Sequence, residues 1–577
     1  MTSAPRWRRG LAVLVLLVLL PLGLRLWSID HGLPRDYVPD THVVRNALGM
    51  AGSKNPVPRA GEYSSYPNLL PYMLLPLYAV YYVRGRVAGD WESVAEFGDA
   101  LKTDASGAHL IARWLVALFG ALTPWAVYRA ARAAGLSSGA WVAGLATATS
   151  LLHVQFSTQQ RPWVPTTFFL VLAAWAAILY VREPRRRYLA ASGIAAGLAF
   201  ATHQGGLLGL GLAGLAWLLA PLSFARDGLR ERLIGGTASV ALFALVALLL
   251  GHPHYLWHGA TETKDVIGGD AADVSIGGMS AVLELSGATF VRLGRALVGY
   301  EPALLLLGLA GLWPALARRA TRPVIVWTLA WAAFFMTNVS DHVRYLLPVA
   351  VFLSLAAGCA AEPLLRRRWG MPALALLLAL ASVQALRLVA LLDRTDTRAD
   401  AEALVHALPP GSRLGVDRYG PAVDLSLESL ELLAELRRAQ QEGLTLRERY
   451  RESLLREGEL PSEQQGVDAV FLADLFEFDE RAGTVTVRAG LRERGADPRA
   501  LLAALGVTHL LLVDRRPGAG PRNLLGSLVE GRDPIHVVDP ARGGGTREAF
   551  LPTEMDFPLT GLWSVSRPGP YLALYEL

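Results

Sequence analysis

One cysteine in 577 residues leaves no intrachain disulfide and no thiolate metal site open to this chain. That residue, Cys359, stands inside an apolar run, where a small packing side chain is expected. Charge is scarce as well: Asp, Glu, Lys and Arg make up 18% of the chain against 52% hydrophobic residues, and the mean hydropathy is +0.33. Soluble domains carry about 25% charged residues, so this scarcity excludes an ordinary soluble enzyme and points to an integral membrane protein. There is no P-loop, no G-x-S-x-G, no H-E-x-x-H, no paired C-x-x-C and no internal repeat of convincing period. The net charge of +5 does not indicate nucleic acid, because most arginines sit in short loops beside apolar stretches. No nucleic-acid partner is expected. The basic start Arg6, Arg8, Arg9 before Leu11 to Leu26 lacks a clear small-residue cleavage site and is read as a retained first helix rather than a signal peptide.

What the chain does have is a rhythm of arginine. Apolar stretches of roughly bilayer-spanning length, about 20 residues, fall near 11–27, 109–129, 137–156, 163–181, 188–203, 205–222, 233–251, 302–317, 323–338, 344–361 and 371–391. The loops between them alternate between Arg-rich and Arg-poor. Arg129 and Arg132, Arg182 and Arg185 to Arg187, Arg226 to Arg232, Arg318 to Arg322 and Arg366 to Arg368 all fall on the side of the N-terminus, whereas the short opposite loops hold only Arg161 and Arg344. Arginine collects on the cytoplasmic side, so the N-terminus is expected there and the odd number of spans places the tail outside. Counting Leu69 to Val83 as a span would invert this order, so that stretch is expected to lie in or near the interface. The expected fold is mostly α: a polytopic protein of about eleven transmembrane helices over 1–392, with outer loops near 28–108 and 252–301, in the cell's inner (plasma) membrane. A soluble extracytoplasmic α/β domain follows over 393–577, with helix-like Leu427 to Gln440 and strand-like Thr508 to Val513 and Tyr571 to Leu577.

Given that topology, polar residues converge on the outer face: Asp36, Asp40, His42, Arg45, Tyr63, Tyr66, Arg113, His153, Gln160, Arg161, His203, His252, His254, His258, Asp341, His342, Arg344 and Tyr345, with nine of the twelve histidines there when His31 and His109 are counted. Polar groups near bilayer depth are costly and line functional cavities. Asp40, after Pro39, has two readings of equal weight: a carboxylate that accepts a proton from an acceptor hydroxyl, or an N-cap for the helix-like Thr41 to Met50. Arg113 and Arg344 suit a lipid phosphate or diphosphate through bidentate, charge-assisted hydrogen bonds, with snorkelling to the interface as the alternative. His252, His254 and His258 have a spacing that could hold a divalent metal. Proline interrupts them and no carboxylate is near until Glu262, which favours interfacial or phosphate-contacting roles, and no cofactor is expected.

Several motifs in order carry a resemblance: Pro39-Asp40-Thr41 with Tyr66-Pro67-Asn68-Leu69, Ala112-Arg113-Trp114-Leu115 with Phe119-Gly120, Gln160-Arg161-Pro162 through Phe168-Phe169, Gly197-Leu198-Ala199 with Ala201-Thr202-His203, Arg344-Tyr345-Leu346-Leu347-Pro348, and Asp396-Thr397-Arg398 with Leu408-Pro409-Pro410-Gly411-Ser412. Together they resemble the GT-C membrane glycosyltransferases of the protein O-mannosyltransferase and aminoarabinose-transferase type. The resemblance implies inverting transfer, on the outer face, from a polyprenyl-phosphate sugar donor to a hydroxyl of an acceptor lipid, glycan or protein among the membrane lipids. It makes Asp40 the activating base and Arg113, His203 and Arg344 the groups that stabilise the departing phosphate. Among the polar residues of the outer face, Tyr66, Arg161, His254 and Tyr345 are further substrate-binding candidates. Three departures stand out: Thr41 where relatives often have a second acid, Trp163 where they often have aspartate, and His203 in place of a usual lysine. An ordinary histidine, with a pKa of about 6.5, is only partly charged at neutral pH. A lipid or sugar transporter and a catalytically degenerate accessory subunit are the competing readings. Transporters place substrate groups near the midplane, whereas here they gather at one face.

Overall fold

The computed structural model describes residues 6–35, 37–38, 41–59, 66–221, 226–257, 267–268, 275–276, 279–280, 282–283, 285–338, 342–479, 483–513, 523–541 and 559–577. The chain divides into two compact units. The first comprises Met1–Ile29, Asp40–Arg84 and Ala108–Ala390, and the second Asp30–Pro39, Gly85–Gly107 and Leu391–Leu577.

Among its described residues the first unit is helical apart from turns, connectors and three two-residue strands, Ile267–Gly268, Ser275–Ile276 and Met279–Ser280, paired antiparallel. Among its candidate spans the two most deeply placed are apolar on every side: 83% of the best 18-residue window of Trp163–Arg182 and 94% of that of Val343–Leu364 is buried, against 22% for Gly228–Gly251. A helix apolar all round belongs in a core or a membrane, and the last of these leaves its leucines free for lipid. Close backbone approach fixes the packing. Gly139, first in Gly139–Thr149, faces Gly358 in Leu347–Leu364, and a Cβ on Gly139 would stand 2.1 Å from the Gly358 carbonyl oxygen. The same contact is capped by Glu362, whose Oε2 accepts from the N–H groups of Ser137 at 3.0 Å and Gly139 at 2.7 Å, so a carboxylate satisfies donors at a helix N-terminus.

Among the described residues five helices are long and apolar enough to cross a bilayer, or six if Ala288–Tyr300 and Pro302–Ala317, bent by 110° at Glu301, count as one. The eleven apolar stretches are therefore not eleven long helices. Hydropathy does not register breaks. The stretch at 137–156 is split because Ser150 leaves helical geometry (φ −56°, ψ 119°) and its hydroxyl caps the next helix, Leu151–Ser157, by accepting from the His153 N–H at 3.2 Å. The stretch at 205–222 opens as a 3₁₀ turn, Gln204–Gly209, before the ten-residue helix Leu210–Leu219, which at about 1.5 Å per residue spans half a hydrocarbon core. Leu69–Ala88 is one helix of 20 residues and does not number among the five candidate spans.

The second unit is built on a mixed five-stranded sheet. Its strands are β1 (Leu414–Val416), β2 (Ala469–Phe471), β5 (His509–Val513), β6 (His536–Val538) and β7 (Leu572–Glu576), and a separate hairpin pairs β3 (Phe476–Asp479) with β4 (Thr484–Val487). The sheet order is β2-β1-β5-β7-β6. β1 is parallel to both neighbours, with Leu414 opposite Ala469 and His509, and β7 is antiparallel to β5 and β6. β5 is buried along its whole length, and alternation divides it between two cores: Leu510 and Leu512 join Leu436, Leu475 and Leu501, while Leu511 and Val513 join Val416, Leu430 and Leu572. Residues 30–39 belong to this unit because their side chains do. Tyr37 lies under the Arg398 guanidinium at 4.0 Å, Arg398 is itself held by Asp396 through two 2.8 Å bonds, and Arg35 pairs with Glu402 and, at 3.1 Å, with Asp424.

Candidate active site

Several polar residues of the first unit, among them Arg25, Arg113, His153, Gln160, Arg161 and His203, are buried in its interior. Leu151–Ser157 and the turn to Arg161 are buried throughout, and the backbone there is braced from within: Ser157 Oγ donates to the His153 carbonyl at 2.5 Å and Thr158 Oγ1 to the Gln155 carbonyl at 2.9 Å. Glu301 anchors this segment. Its Oε1 accepts from Ser150 Oγ at 2.5 Å and from the Leu152 N–H at 2.9 Å. Arg25, fully buried in the first helix, approaches His153 Nδ1 with Nη2 at 2.8 Å and donates to the Pro21 carbonyl at 2.9 Å.

Arg113 is fully buried. Its Nε donates to Gln160 Oε1 at 2.8 Å and its Nη1 to the Ile29 carbonyl at 2.9 Å, so it ties three segments together instead of reaching for the interface. Arg161 follows Gln160, buried, with its guanidinium 5.8 Å from the Phe156 ring. Two residues on, Trp163 starts a helix and enters a chain of rings. Its centroid is 4.0 Å from His203 and 5.1 Å from Tyr345; Tyr66 is 5.4 Å from His203; His42 meets Tyr66 edge-on at 5.2 Å; His342 lies 5.7 Å from Tyr345. Arg344 has its guanidinium carbon 5.7 Å from the Tyr345 ring and acts electrostatically on His203.

The structure thus brings Tyr66, His203, Arg344 and Tyr345 to one cluster around Trp163, with Arg113 and Arg161 joined to it through Gln160-Arg161-Pro162. His254 packs in a second ring group, 5.6 Å from His252 and 4.3 Å from Tyr255. The Asn68 N–H, donating to the Gly251 carbonyl at 2.9 Å, links that group to the Tyr66 segment. Asp36, Asp40, Tyr63, His258 and Asp341 lie outside the described residues. His203 Nδ1 accepts from the Gly205 N–H at 3.0 Å, an arrangement that uses the lone pair of a neutral imidazole and leaves Nε2 as its donor. His252, just past the end of a candidate span, is pushed down to about 4 by burial and then by the neighbouring charge of His254. Among the described residues no three His, Cys, Asp or Glu side chains are placed to hold a metal ion.

Three residues of this interior escape a sequence reading: Arg25, Glu301 and Trp163 as the hub of the rings. Arg25 had a signal, a charge inside an apolar run. Glu301 had none that spacing reveals, and Trp163 stands out only as a departure from the motif, not as the centre of the rings.

Residues 105–257 match the family model of dolichyl-phosphate-mannose-protein mannosyltransferase. Over that stretch the chain is similar to those transferases. The match takes in Arg113, Gln160-Arg161-Pro162, Trp163, His203 and His254, and it bears out the resemblance carried by the motifs there. No curated protein matches the sequence. Solved structures with a similar course of the chain include ArnT from Cupriavidus metallidurans bound to undecaprenyl phosphate, with 20% identity and a TM-score of 0.44 over 71% of this chain and 67% of that one. The archaeal oligosaccharyltransferase AglB from Archaeoglobus fulgidus, in complex with an inhibitory peptide and a dolichol-phosphate, is 12% identical with a TM-score of 0.45 over 88% of this chain and 70% of that one.

Proposed function

We propose that this chain is an inverting glycosyltransferase. It moves a sugar from a polyprenyl-phosphate donor to a hydroxyl of a lipid, glycan or protein on the outer face of the membrane. The observation that carries this reading is the meeting, in one cluster, of residues from three separate family motifs: Tyr66, His203, and Arg344 with Tyr345. The name of the matching family, dolichyl-phosphate-mannose-protein mannosyltransferase, supports a lipid-phosphate donor.

In this reading Asp40 takes the proton of the acceptor hydroxyl as that oxygen bonds to the anomeric carbon. The bond from that carbon to the phosphate oxygen breaks, and the electron pair stays with the lipid phosphate. Arg344 stabilises the departing phosphate by charge, and His203, neutral, contributes a hydrogen bond. Arg113 and Arg161 hold the floor of the site, since Arg113 already spends its donors on Gln160 and Ile29. A second reading, a silent relative that keeps the fold, is favoured by Trp163, which fills the centre of the cluster where relatives often carry an acid.

The test is transfer by the purified chain from labelled polyprenyl-phosphate sugars to membrane acceptors. Asp40→Asn is expected to retain donor binding and lose transfer by 10²-fold or more, on the order of what general bases contribute; Arg344→Ala is expected to weaken donor binding. Undiminished turnover in Asp40→Asn removes Asp40 from the mechanism, and no turnover by the native chain on any donor supports the silent relative.

A further inference from the structure

The second unit holds a cavity that the transfer reading does not use. In its sheet, β1 leads through the helices Leu427–Arg438 and Leu446–Glu457 to β2 on one side, while the later β5 lies on the other. That reversal on either side of β1 is the switch point at which open α/β sheets bind ligands, outside the carboxyl ends of their parallel strands. The loop that follows β1, from Asp417 to Leu425, opens there onto a cavity of about 510 Å³ whose other walls come from the end of β2, from the N-terminus of Leu446–Glu457 and from Arg35. The volume is in the range of small-molecule sites.

The charges in the cavity are unevenly satisfied. Asp417 accepts from the Val513 N–H at 3.0 Å and from Asn523 at 2.6 Å; Asp474 and Glu448 are both bonded by Arg437. Those acids are spent. At Asp424 the balance is reversed, because three guanidinium groups converge on one carboxylate: Arg35 at 3.1 Å, Arg447 at 3.9 Å and Arg451 at 3.9 Å. The last two distances exceed a hydrogen bond. Arg35 shares its charge with Glu402 behind the cavity wall, and Arg451 donates Nε to the Leu425 carbonyl at 2.8 Å and Nη2 to the Gln464 carbonyl at 2.6 Å, which leaves Nη1 turned to Asp424. Burial lowers the Arg451 pKa, Asp424 opposes this, and Arg447 and Arg35 add to it by repulsion. A second oxyanion placed among these groups would occupy the unused donors and relieve that repulsion. Tyr419 and Phe471 supply rings in the same wall.

We propose that this cavity binds an anionic sugar, a saccharide bearing a carboxylate or a phosphate, whose oxyanion sits between Arg447 and Arg451 and whose ring lies against the aromatic wall. The site takes no residue from the transfer machinery, so the two readings stand or fall separately.

The experiment is calorimetric titration of the full chain in detergent, at low salt, with glucuronate, glucose 6-phosphate, inorganic phosphate and glucose. Glucuronate or glucose 6-phosphate is expected to bind at least tenfold more tightly than glucose and than inorganic phosphate, and whichever does so identifies the oxyanion. Arg447→Ala is expected to weaken that binding tenfold or more without lowering the melting temperature, since this side chain is exposed and the capping box of Thr445 and Glu448 stays in place. Asp40→Asn is expected to bind as the native chain does. Binding by inorganic phosphate as tight as by the sugars, absence of binding by both anionic sugars, or equal affinity in Arg447→Ala and the native chain overturns the proposal.

Discussion

His252 shows how a single buried residue can report the state of the whole interior. Its pKa lies near 4 against about 6.5 in an unfolded chain, so as pH falls through 6.5 the unfolded state takes up the proton first. Stability from this residue is complete above pH 6.5 and is lost between there and pH 4. The melting temperature of the purified chain is therefore expected to fall from pH 7 to pH 5, and to fall less in His252→Gln. Equal falls in the two proteins would show that other groups carry the acid sensitivity. Residues of this kind are only half legible. That histidines gather at 252–258 is plain from the sequence, and so is their separation from any nearby acid. That His252 is buried against Phe200 and His254, and so kept neutral, depends on a helix 50 residues away. Trp163 is a sharper instance: motif order identifies it as a departure, while its place between His203 and Tyr345 follows only from the packing of three helices.

At the scale of elements, runs of one character read well and breaks within them do not. His509–Val513 reads as a strand in its short apolar run, and it lies at the centre of the sheet with both faces covered. β1 and β2 have three residues each and no pattern that hydropathy can detect, although the cavity is built on their ends. The break at Ser150 is equally silent, yet the segment it starts carries His153, Gln160 and Arg161. That segment is held by Glu301, itself at a 110° bend between two helices. Glu301→Ala leaves the Ser150 hydroxyl and the Leu152 N–H without their acceptor, at about 1 to 3 kcal/mol for each buried donor. Thermal stability is expected to drop accordingly, and the segment to become open to proteolysis. Glu301→Gln, which keeps an acceptor oxygen, is expected to recover most of the loss. If both variants are as stable as the native chain, Glu301 does not anchor the segment.

At the scale of the molecule, the proposal depends on sidedness, and the chain's composition makes sidedness measurable. The lone cysteine, Cys359, is fully buried, so the native protein gives almost no background with a thiol label, and Cys359→Ala removes what there is. Cysteines introduced at exposed positions then report their own compartment. From the arginine rhythm Lys54 and Glu442 are expected outside, and Arg185 and Arg367 inside; all four are exposed. Lys54→Cys and Glu442→Cys are expected to react with a membrane-impermeant maleimide on intact cells, whereas Arg185→Cys and Arg367→Cys are expected to react only after the membrane is opened. The arginine clusters set the side of the loops that hold them, and the odd number of spans sets the side of the tail that holds Glu442. Labelling of Lys54→Cys and Arg185→Cys from the same side would place the two loops in one compartment. The polar cluster would then have no defined outer face, and a transfer reaction dependent on a donor presented there would lose its basis.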